Sequence, residues 1–467
     1  MYNSKSMKAE EFINHDEIMA TLKWVDENKH NEKLINEIMA KAERKAGLNH
    51  REAALILEAG DKDMLFSLAK RIKKDFYGNR IVLFAPLYLS NHCVNGCVYC
   101  PFNLRNKNMH RRKLTQDEIR NEVTALQDMG HKRLALETGE DPINNPIEYI
   151  LESIETIYAL KHKNGSIRRV NVNIAATTVD DYKMLKNAGI GTYILFQETY
   201  HKENYEKLHP TGPKSDYAWH TEAMDRAMQG GIDDVGIGVL YGLENYRYEF
   251  VAMMMHAGHL ESVYGVGPHT VSVPRIKAAD GVNPDDFTNG IDDETFKRIV
   301  ACIRISAPYT GIIISTRESE QCRKSALEVG ASQLSGGSRT SVGGYSDKND
   351  IEDVQFDISD NRTLDQIVQW LIETGHIPSF CTACYKEGRT GDRFMSLIKS
   401  GEIQNCCHPN ALMTLKEYLT DYAHMHAKSA GELLIKSELK NIPSQKVRSL
   451  VDDNLNRIKQ GSRGFRI

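Results

Sequence analysis

The sequence has no long hydrophobic run, no excess of charge of one sign, no internal repeat and no low-complexity segment. Its longest apolar stretch, near residues 81–89, is far shorter than the roughly 18 to 20 residues of a membrane span. Lys and Arg number 59 against 63 Asp and Glu, a formal charge of -4, which argues against nucleic-acid or membrane partners. Residues 1–11 have no apolar signal-peptide core, so a cytoplasmic protein is expected.

Cysteine is grouped rather than scattered. The nine cysteines form two groups and a remainder: Cys93, Cys97 and Cys100; Cys381, Cys384, Cys406 and Cys407; and, apart from both, Cys302 and Cys322. An odd count in a chain expected in the cytoplasm argues against a disulfide framework and favours thiolate ligands. The sequence therefore predicts two metal sites.

The apolar pattern predicts three regions. Residues 1–80 read as a helical N-terminal extension, with helical spacing over 17–46 and 63–76. From residue 81, short apolar runs alternate with amphipathic segments. Strands are predicted at 81–88, 133–137, 170–174, 192–196, 234–239, 270–273, 311–315 and 331–334. Helices are predicted at 115–129, 146–162, 179–188, 214–228, 246–263, 293–306 and 319–329.

Eight such alternations predict an α/β fold, a (β/α)8 TIM barrel over residues 81–345. An open, doubly wound sheet is the alternative, because one sequence does not determine the strand count. A polar stretch at 346–353 predicts a loop or linker, and a helix at 364–373 follows. Residues 346–467 are predicted to form a helical C-terminal domain that carries the second cysteine group.

The first cysteine group, CxxxCxxC, directly follows the first predicted strand. Three thiolates can bind three irons of a 4Fe-4S cube and leave the fourth iron open to a non-protein ligand. Structural zinc, with His92 or His110 as the fourth ligand, is the alternative. Tyr99 and the Asn95-Gly96 turn suit a loop that wraps around a cluster.

The second group is a CxxC pair, Cys381 and Cys384, followed after 22 residues by Cys407. Soft ligands of this number predict a second iron–sulfur cluster or, with Cys406 as a fourth thiolate, zinc. His269 precedes the sixth strand and is expected at the bottom of the barrel, where a tail folded underneath can bring the thiolates to it.

A competing imidazole pair lies three residues apart on a predicted helix, at His256 and His259. It has no accompanying carboxylate such as that of HExxH. We therefore expect this pair on a solvated helix face.

The CxxxCxxC loop resembles that of the radical S-adenosylmethionine (SAM) superfamily. The resemblance implies that SAM chelates the open iron and that an electron from the cluster cleaves it to a 5'-deoxyadenosyl radical. Thr138-Gly139-Glu140 resembles the superfamily's Gly-Gly-Glu element, with Thr at its first position. The predicted SAM contacts are Tyr99, Thr138, Gly139, Glu140, Glu198, Gly236 and Gly238. The glycines miss the GxGxxG spacing, which excludes a Rossmann site.

Arginines follow two of the later strands. Arg317, near Ser315, and Arg275 each offer a rigid fork for a carboxylate, which predicts an amino-acid substrate at the barrel mouth. A structural salt bridge is the alternative for either arginine.

Longer stretches resemble the radical SAM tyrosine lyases of FeFe-hydrogenase maturation, namely 81–88, 168–178, 191–200, 267–275, 308–318 and 381–410. This resemblance implies an anaerobic carbon-carbon lyase that cleaves L-tyrosine to p-cresol and dehydroglycine. Dehydroglycine then becomes CO and cyanide in an Fe(CO)2(CN)-cysteine synthon for the hydrogenase H-cluster. The implied cofactors are SAM, a SAM-binding 4Fe-4S cluster on Cys93, Cys97 and Cys100, and an auxiliary 4Fe-4S cluster on Cys381, Cys384 and Cys407. An additional iron bound by His269 and L-cysteine completes the implied set.

The same resemblance implies a ferredoxin- or flavodoxin-type electron donor and other hydrogenase maturases as partners. Cys407 is preferred to Cys406 because the family's third auxiliary ligand precedes an x-Pro-Asn step, as Cys407 does here. Two alternatives remain: a tyrosine lyase of thiazole (thiamine) biosynthesis, which lacks the C-terminal cysteines, and a non-catalytic iron–sulfur carrier. Barrel strands of five to six residues would separate the two sites by at least about 20 Å. A continuous internal channel between them is predicted.

Overall fold

The computed structural model describes residues 1–347, 353–386, 391, 397 and 403–467. The described strands are β1 Arg80–Ser90, β2 Arg133–Thr138, β3 Lys161–His162, β4 Gly165–Ser166, β5 Arg169–Asn173, β6 Tyr193–Ile194, β7 Val235–Gly238, β8 Thr270–Ser272, β9 Gly311–Ile314, β10 Gln333–Ser335 and β11 Ile377–Ser379. Eight of them, β1, β2 and β5 to β10, form a parallel sheet that closes where β10 pairs with β1. The TIM-barrel prediction is confirmed, and the open sheet is wrong.

Helices surround the barrel in the order that the alternation predicts. They are Gln116–Met129, Ile147–Ala159, Val179–Asn187, Lys202–Leu208, Tyr217–Thr221, Ala223–Gln229, Tyr246–Tyr264, Asp293–Ser306 and Glu320–Val329. The first begins at the capping box of Thr115 and Glu118. The single helix predicted at 214–228 is wrong: a 3-10 turn, Pro213–Ser215, precedes two short helices there. Asp216 starts the first of them by accepting a hydrogen bond from Trp219 N at 2.9 Å.

The N-terminal extension is helical as predicted and packs on the outside of the barrel. Its helices are Ala9–Phe12, His15–Asn28, Glu32–Glu43, His50–Ala59 and Lys62–Tyr77. It covers the histidine pair expected in solvent, since His256 and His259 are 3% and 0% exposed. Phe12 stacks on the His259 ring at 3.9 Å, and His259 Nδ1 lies 2.8 Å from Ser4 O. The solvated-face prediction was wrong because it did not consider this extension.

The C-terminal region is helical, as predicted, and contributes one strand. Its described helices are Leu364–Glu373, Ala383–Lys386, Ile403–Asp421, Met425–Leu439 and Gln445–Lys459. The unpredicted β11 pairs with Arg80–Val82, at the N-terminal end of β1. The loop predicted at 346–353 lies mostly outside the described residues, and the boundaries 1–80, 81–345 and 346–467 stay predictions. No helix among the described residues is long and apolar enough to span a membrane.

Candidate active site and metal centres

The loop of the first cysteine group lies beyond the C-terminal end of β1 and is clamped by neighbouring segments. Val94 N donates to Glu140 O at 2.8 Å, and Val98 N donates to Leu208 O at 3.0 Å. Gly139 packs against this loop so closely that a Cβ there would lie 2.4 Å from His92 O. A side chain at residue 139 would therefore displace the cysteine loop.

All three cysteines of this loop line one cavity at the barrel mouth. Burial raises the pKa of Cys97 to about 11 and that of Cys100 further, so a cationic ligand is needed to hold them as thiolates. No three His, Cys, Asp or Glu side chains in the described part of the chain converge closely enough for a single metal ion. In a cube each thiolate binds a different iron, so this spacing and donor set fit a 4Fe-4S cluster.

The structure brings five of the seven predicted SAM contacts to this cavity: Tyr99, Thr138, Gly139, Glu140 and Glu198. The other two, Gly236 and Gly238, are not among the residues that line it. A Cβ on these glycines would lie 2.5 Å from Thr270 Oγ1 and 2.7 Å from Ser272 O. These glycines leave space for the neighbouring strand, and the geometry does not place them in contact with a ligand in this cavity.

The sequence did not reveal which side chains pair with the predicted carboxylates Glu140 and Glu198. Asn95 Nδ2 donates to Glu140 at 2.6 Å, and Lys214 Nζ lies 2.9 Å from Glu198. Both partners line the cavity. Lys214 lies in the 3-10 turn Pro213–Ser215, where the sequence pattern predicted the start of a helix, so nothing marked it as a site residue.

Glu137 was also missed, although a signal existed: it is a carboxylate at the C-terminal end of β2, where barrel enzymes place functional groups. Its side chain accepts a hydrogen bond from Asn173 at 2.7 Å and lines the cavity. Burial raises the pKa of Glu137 to about 8, so the carboxyl is largely protonated at neutral pH.

The two predicted arginines have different environments. Arg317 and Ser315 line the cavity, and the Arg317 guanidinium lies 3.5 Å from the centre of the Phe356 ring. Within the described residues no carboxylate forms an ion pair with Arg317. Arg275 is instead paired with Glu318 and, at 2.8 Å, with Asp293. The salt-bridge alternative therefore describes Arg275.

Replacing Arg275 by leucine is expected to lower the free energy of unfolding by about 3–5 kcal/mol. The reason is that Glu318 is 1% exposed and would be left as a buried, unpaired carboxylate. Urea unfolding of the apoprotein measures this change. Arg71→Leu is the matched control, since its pair with Glu43 is about 60% exposed on both sides and should contribute less than about 1 kcal/mol. Equal stability of the two variants would contradict the prediction.

A buried carboxylate supports the turn that carries Glu198. Glu198 has a left-handed backbone, with φ 69°. The next two residues are held by Glu249, which accepts hydrogen bonds from the Thr199 hydroxyl and, at 2.9 Å, from Tyr200 N. Burial raises the pKa of Glu249 to about 8. The carboxyl therefore gains its charge only at a cost to the folded state.

Stability is consequently expected to fall as pH rises from about 4.5 to about 8. In this range the unfolded chain has already released the Glu249 proton, whereas the folded chain retains it. The loss amounts to about 1.4 kcal/mol for each pH unit crossed. Thermal midpoints between pH 5 and 9 should decline less steeply for Glu249→Gln than for wild type. The exposed-site variant Glu206→Gln should follow wild type, and a Glu249→Gln profile as steep as wild type would contradict the assignment.

Below its mouth the cavity is lined by residues of the barrel strands. Its wall includes Ala135, Asn173, Ile194, Ser272, Ile313 and Ser335. Two positions earlier on the same strands, and so on the same inward face, lie Arg133, Asn171, Thr192, Thr270, Gly311 and Gln333. The polar members of this layer are buried. A polar layer of buried side chains therefore lies below the residues that line the cavity, and the continuous channel between the two sites stays a prediction.

The second cysteine group lies at the opposite end of the barrel. It follows β11, and the Arg133 guanidinium at the start of β2 donates to Cys381 O at 3.2 Å. Cys384 and Cys407 approach to 4.0 Å between their sulfurs, as do Cys406 and Cys407. Hydrogen bonds from those two thiols, with Arg80 nearby, hold the pKa of Cys407 well below its usual value. Gathered soft donors beside cationic groups fit an anionic iron–sulfur cluster; the preference for Cys407 over Cys406 stays a prediction.

His269 lies at the same end, as the sequence predicted. It precedes β8, its N–H donates to Val235 O at 2.8 Å, and its Nδ1 lies 3.4 Å from Asp234 Oδ1. Burial lowers the pKa of His269; the charge of Asp234 opposes this effect, and the charges of Arg169 and Arg133 add to it. The imidazole is therefore neutral, the form that binds metals. Arg133, whose charge acts on His269, also donates to Cys381 O, so the histidine and the cysteine group lie at the same end of the barrel.

Comparisons with known proteins agree with this geometry. The Radical SAM superfamily model matches residues 87–255, and the Biotin and Thiamin Synthesis associated domain matches residues 272–377. A crystal structure of HydG, a maturase of the [FeFe]-hydrogenase, is 53% identical with a TM-score of 0.94, over 98% of this chain and 100% of that chain. The chain belongs to the HydG family of radical SAM enzymes.

Other members and relatives of the HydG family give the same result. HydG from Carboxydothermus hydrogenoformans is 38% identical with a TM-score of 0.81, over 96% of this chain and 99% of that chain. The 2-iminoacetate synthase of Escherichia coli is 31% identical over 68% of this chain and 82% of its own length. The predicted family is confirmed, and with it a 4Fe-4S cluster and SAM as cofactors.

Proposed function

We propose that this HydG-family enzyme cleaves L-tyrosine to p-cresol and dehydroglycine at the top of the barrel. Dehydroglycine is then converted to CO and cyanide at the underside, giving an Fe(CO)2(CN)-cysteine synthon for the FeFe-hydrogenase active site. The observation that carries the proposal is the pair of cysteine groups at opposite ends of one barrel. A thiazole-type lyase needs only the upper group, and an iron–sulfur carrier needs no substrate cavity.

At the upper site the loaded cluster and SAM supply a 5'-deoxyadenosyl radical. Cys93, Cys97 and Cys100 hold that cluster, while Glu140 and Glu198 face the same cavity as acceptors for SAM amino and hydroxyl groups. Arg317 binds the tyrosine carboxylate through its two parallel N–H groups, beside Ser315. This orientation presents the substrate amino group, from which hydrogen is taken, to the cavity.

Glu137 supports tyrosine binding because it does not compete with the substrate carboxylate for Arg317. It lines the same cavity as Arg317, and its carboxyl carries a proton at neutral pH because burial raises its pKa to about 8. A neutral neighbour leaves the positive charge of Arg317 for the substrate carboxylate. Lys214, which also lines the cavity, is paired with Glu198, so Arg317 offers the amino acid a two-pronged cation that no described carboxylate neutralises.

At the underside Cys381, Cys384 and Cys407 hold an auxiliary 4Fe-4S cluster, and His269 binds an additional iron together with L-cysteine. Strand β1 has 11 residues, so at about 3.3 Å per residue its ends lie roughly 33 Å apart. Dehydroglycine must pass the polar layer to cross this distance. A ferredoxin- or flavodoxin-type donor supplies electrons, other hydrogenase maturases accept the synthon, and the location is cytoplasmic.

Product analysis tests the proposal. The anaerobically reconstituted enzyme is incubated with SAM, a reductant, tyrosine, iron and cysteine, and p-cresol, CO and cyanide are measured together. The triple variant Cys381→Ser, Cys384→Ser, Cys407→Ser should retain p-cresol and lose CO and cyanide, whereas Cys322→Ser should retain all three. CO and cyanide from the triple variant would refute the underside role. SAM cleavage by wild type without p-cresol would refute the substrate.

A further inference from the structure

We propose that Asp234 is a positioning residue that fixes the His269 imidazole for iron binding at the underside. The inference rests on the proposed function, in which His269 is an iron ligand. It adds a residue that the cysteine and histidine pattern does not reveal. Asp234 lies directly before β7, is 3% exposed, and faces His269 across neighbouring strands.

The first support is the position of the carboxylate on the ring. Asp234 Oδ1 lies 3.4 Å from His269 Nδ1. An imidazole whose Nδ1–H points to a carboxylate presents its other nitrogen, Nε2, as a lone-pair donor. Metal-bound histidines commonly have such a carboxylate behind them, because it fixes the tautomer and the ring orientation and makes the ligand more basic. Asp234 lies on that side of the His269 ring, at an ion-pair distance that a small rotation of the imidazole would turn into such a hydrogen bond.

A second contact joins the same carboxylate to the chain segment between the auxiliary cysteines. Gly391 N donates to Asp234 Oδ1 at 3.2 Å, and Gly391 lies between Cys384 and Cys407 in sequence. Gly391 has a left-handed backbone, φ 51°, and a Cβ there would lie 2.9 Å from Asp233 Cβ. One carboxylate therefore links the histidine with the cysteine-bearing segment.

Arg169 provides a charge on the far side of Asp234. Its Nη2 lies 3.7 Å from Asp234 Oδ2, the oxygen not directed at His269. Two roles for Asp234 are therefore distinguishable. If it only neutralises Arg169, removing the arginine should do the same harm as removing the carboxylate. If it positions His269, removing Arg169 should leave iron binding intact or stronger, because a cation near the iron is lost.

The experiment measures Fe(II) binding to enzyme whose two clusters are already reconstituted, by equilibrium dialysis with L-cysteine present. Asp234→Asn is expected to weaken binding of the additional iron about 10- to 100-fold, the range for loss of such a partner. His269→Ala should abolish it. Asp233→Asn, whose carboxylate pairs with Lys186 at a surface, is the matched control and should bind as wild type. Arg169→Gln should bind at least as tightly as wild type.

The outcomes separate the inference from the function beneath it. Wild-type affinity in His269→Ala would overturn the ligand role and the inference together. Loss in His269→Ala with wild-type affinity in Asp234→Asn would overturn only the inference. Equal losses in Asp234→Asn and Arg169→Gln would also overturn it, in favour of charge neutralisation. Full cluster content and p-cresol formation by Asp234→Asn verify its fold; if that variant does not fold, weaker iron binding by Arg169→Gln alone overturns the inference.

Discussion

Replacing Cys93, Cys97 and Cys100 by alanine is expected to abolish SAM cleavage and, with it, every product of the enzyme. Three thiolates bind three irons of a cube and leave the fourth open for SAM, and this loop supplies all three. The structure holds them in one cavity with five of the seven predicted SAM contacts. We expect 5'-deoxyadenosine and p-cresol to fall below detection. Chromatography of the anaerobic reaction mixture measures both compounds.

The iron content of the variant distinguishes loss of the upper cluster alone from unfolding of the whole protein. The triple alanine variant should lose the upper cluster and keep the auxiliary one, so its iron should fall by about half. Cys302→Ala is the matched control, because Cys302 is fully buried in Asp293–Ser306, away from both cysteine groups. It should retain both clusters and full turnover. Turnover by the triple variant would show that SAM is cleaved without this loop.

Arg317→Gln is expected to reduce kcat/KM for tyrosine by roughly 30- to 5,000-fold. This range corresponds to the about 2–5 kcal/mol lost when one partner of a buried, hydrogen-bonded charge pair is removed. Arg317 lines the cavity, and no described carboxylate forms an ion pair with it, so its charge is available to the substrate. Steady-state p-cresol formation at varied tyrosine concentrations measures the effect.

Arg317→Lys separates the contribution of the positive charge from that of the guanidinium geometry. It should recover part of the lost activity, because an ammonium keeps the attraction but lacks the two-pronged geometry. SAM cleavage without tyrosine should be unchanged in both variants, since the SAM contacts lie on other strands. A normal KM and kcat in Arg317→Gln would place the tyrosine carboxylate elsewhere in the cavity.

Features that depend on short sequence separation were predictable. The cysteine loop, the capping box of Thr115 and the alternating strands are local patterns, and the structure contains them. Pairs between distant segments were not predictable, such as Lys214 with Glu198, Asn95 with Glu140, and Asp234 with His269. They form only when the closed barrel brings strand ends together.

Arg275 and Arg317 show why a motif alone was insufficient. Both arginines follow a strand, and both have the same chemistry. They differ because Glu318, next to Arg317 in sequence, turns towards Arg275 and forms an ion pair with it. Strand β11 was missed for a related reason: it has three residues, includes Pro378 and pairs only with the overhanging start of β1.

The polar layer across the lower barrel has a calorimetric consequence. Exposure of apolar surface raises the heat capacity on unfolding, whereas exposure of polar surface lowers it. This barrel buries Asn171, Thr270 and Gln333 where aliphatic side chains usually lie. Its heat-capacity change of unfolding per residue should therefore be smaller than the usual 12–15 cal/mol/K. Its stability curve should accordingly be flatter with temperature, and cold should weaken this protein less than a barrel with an aliphatic interior.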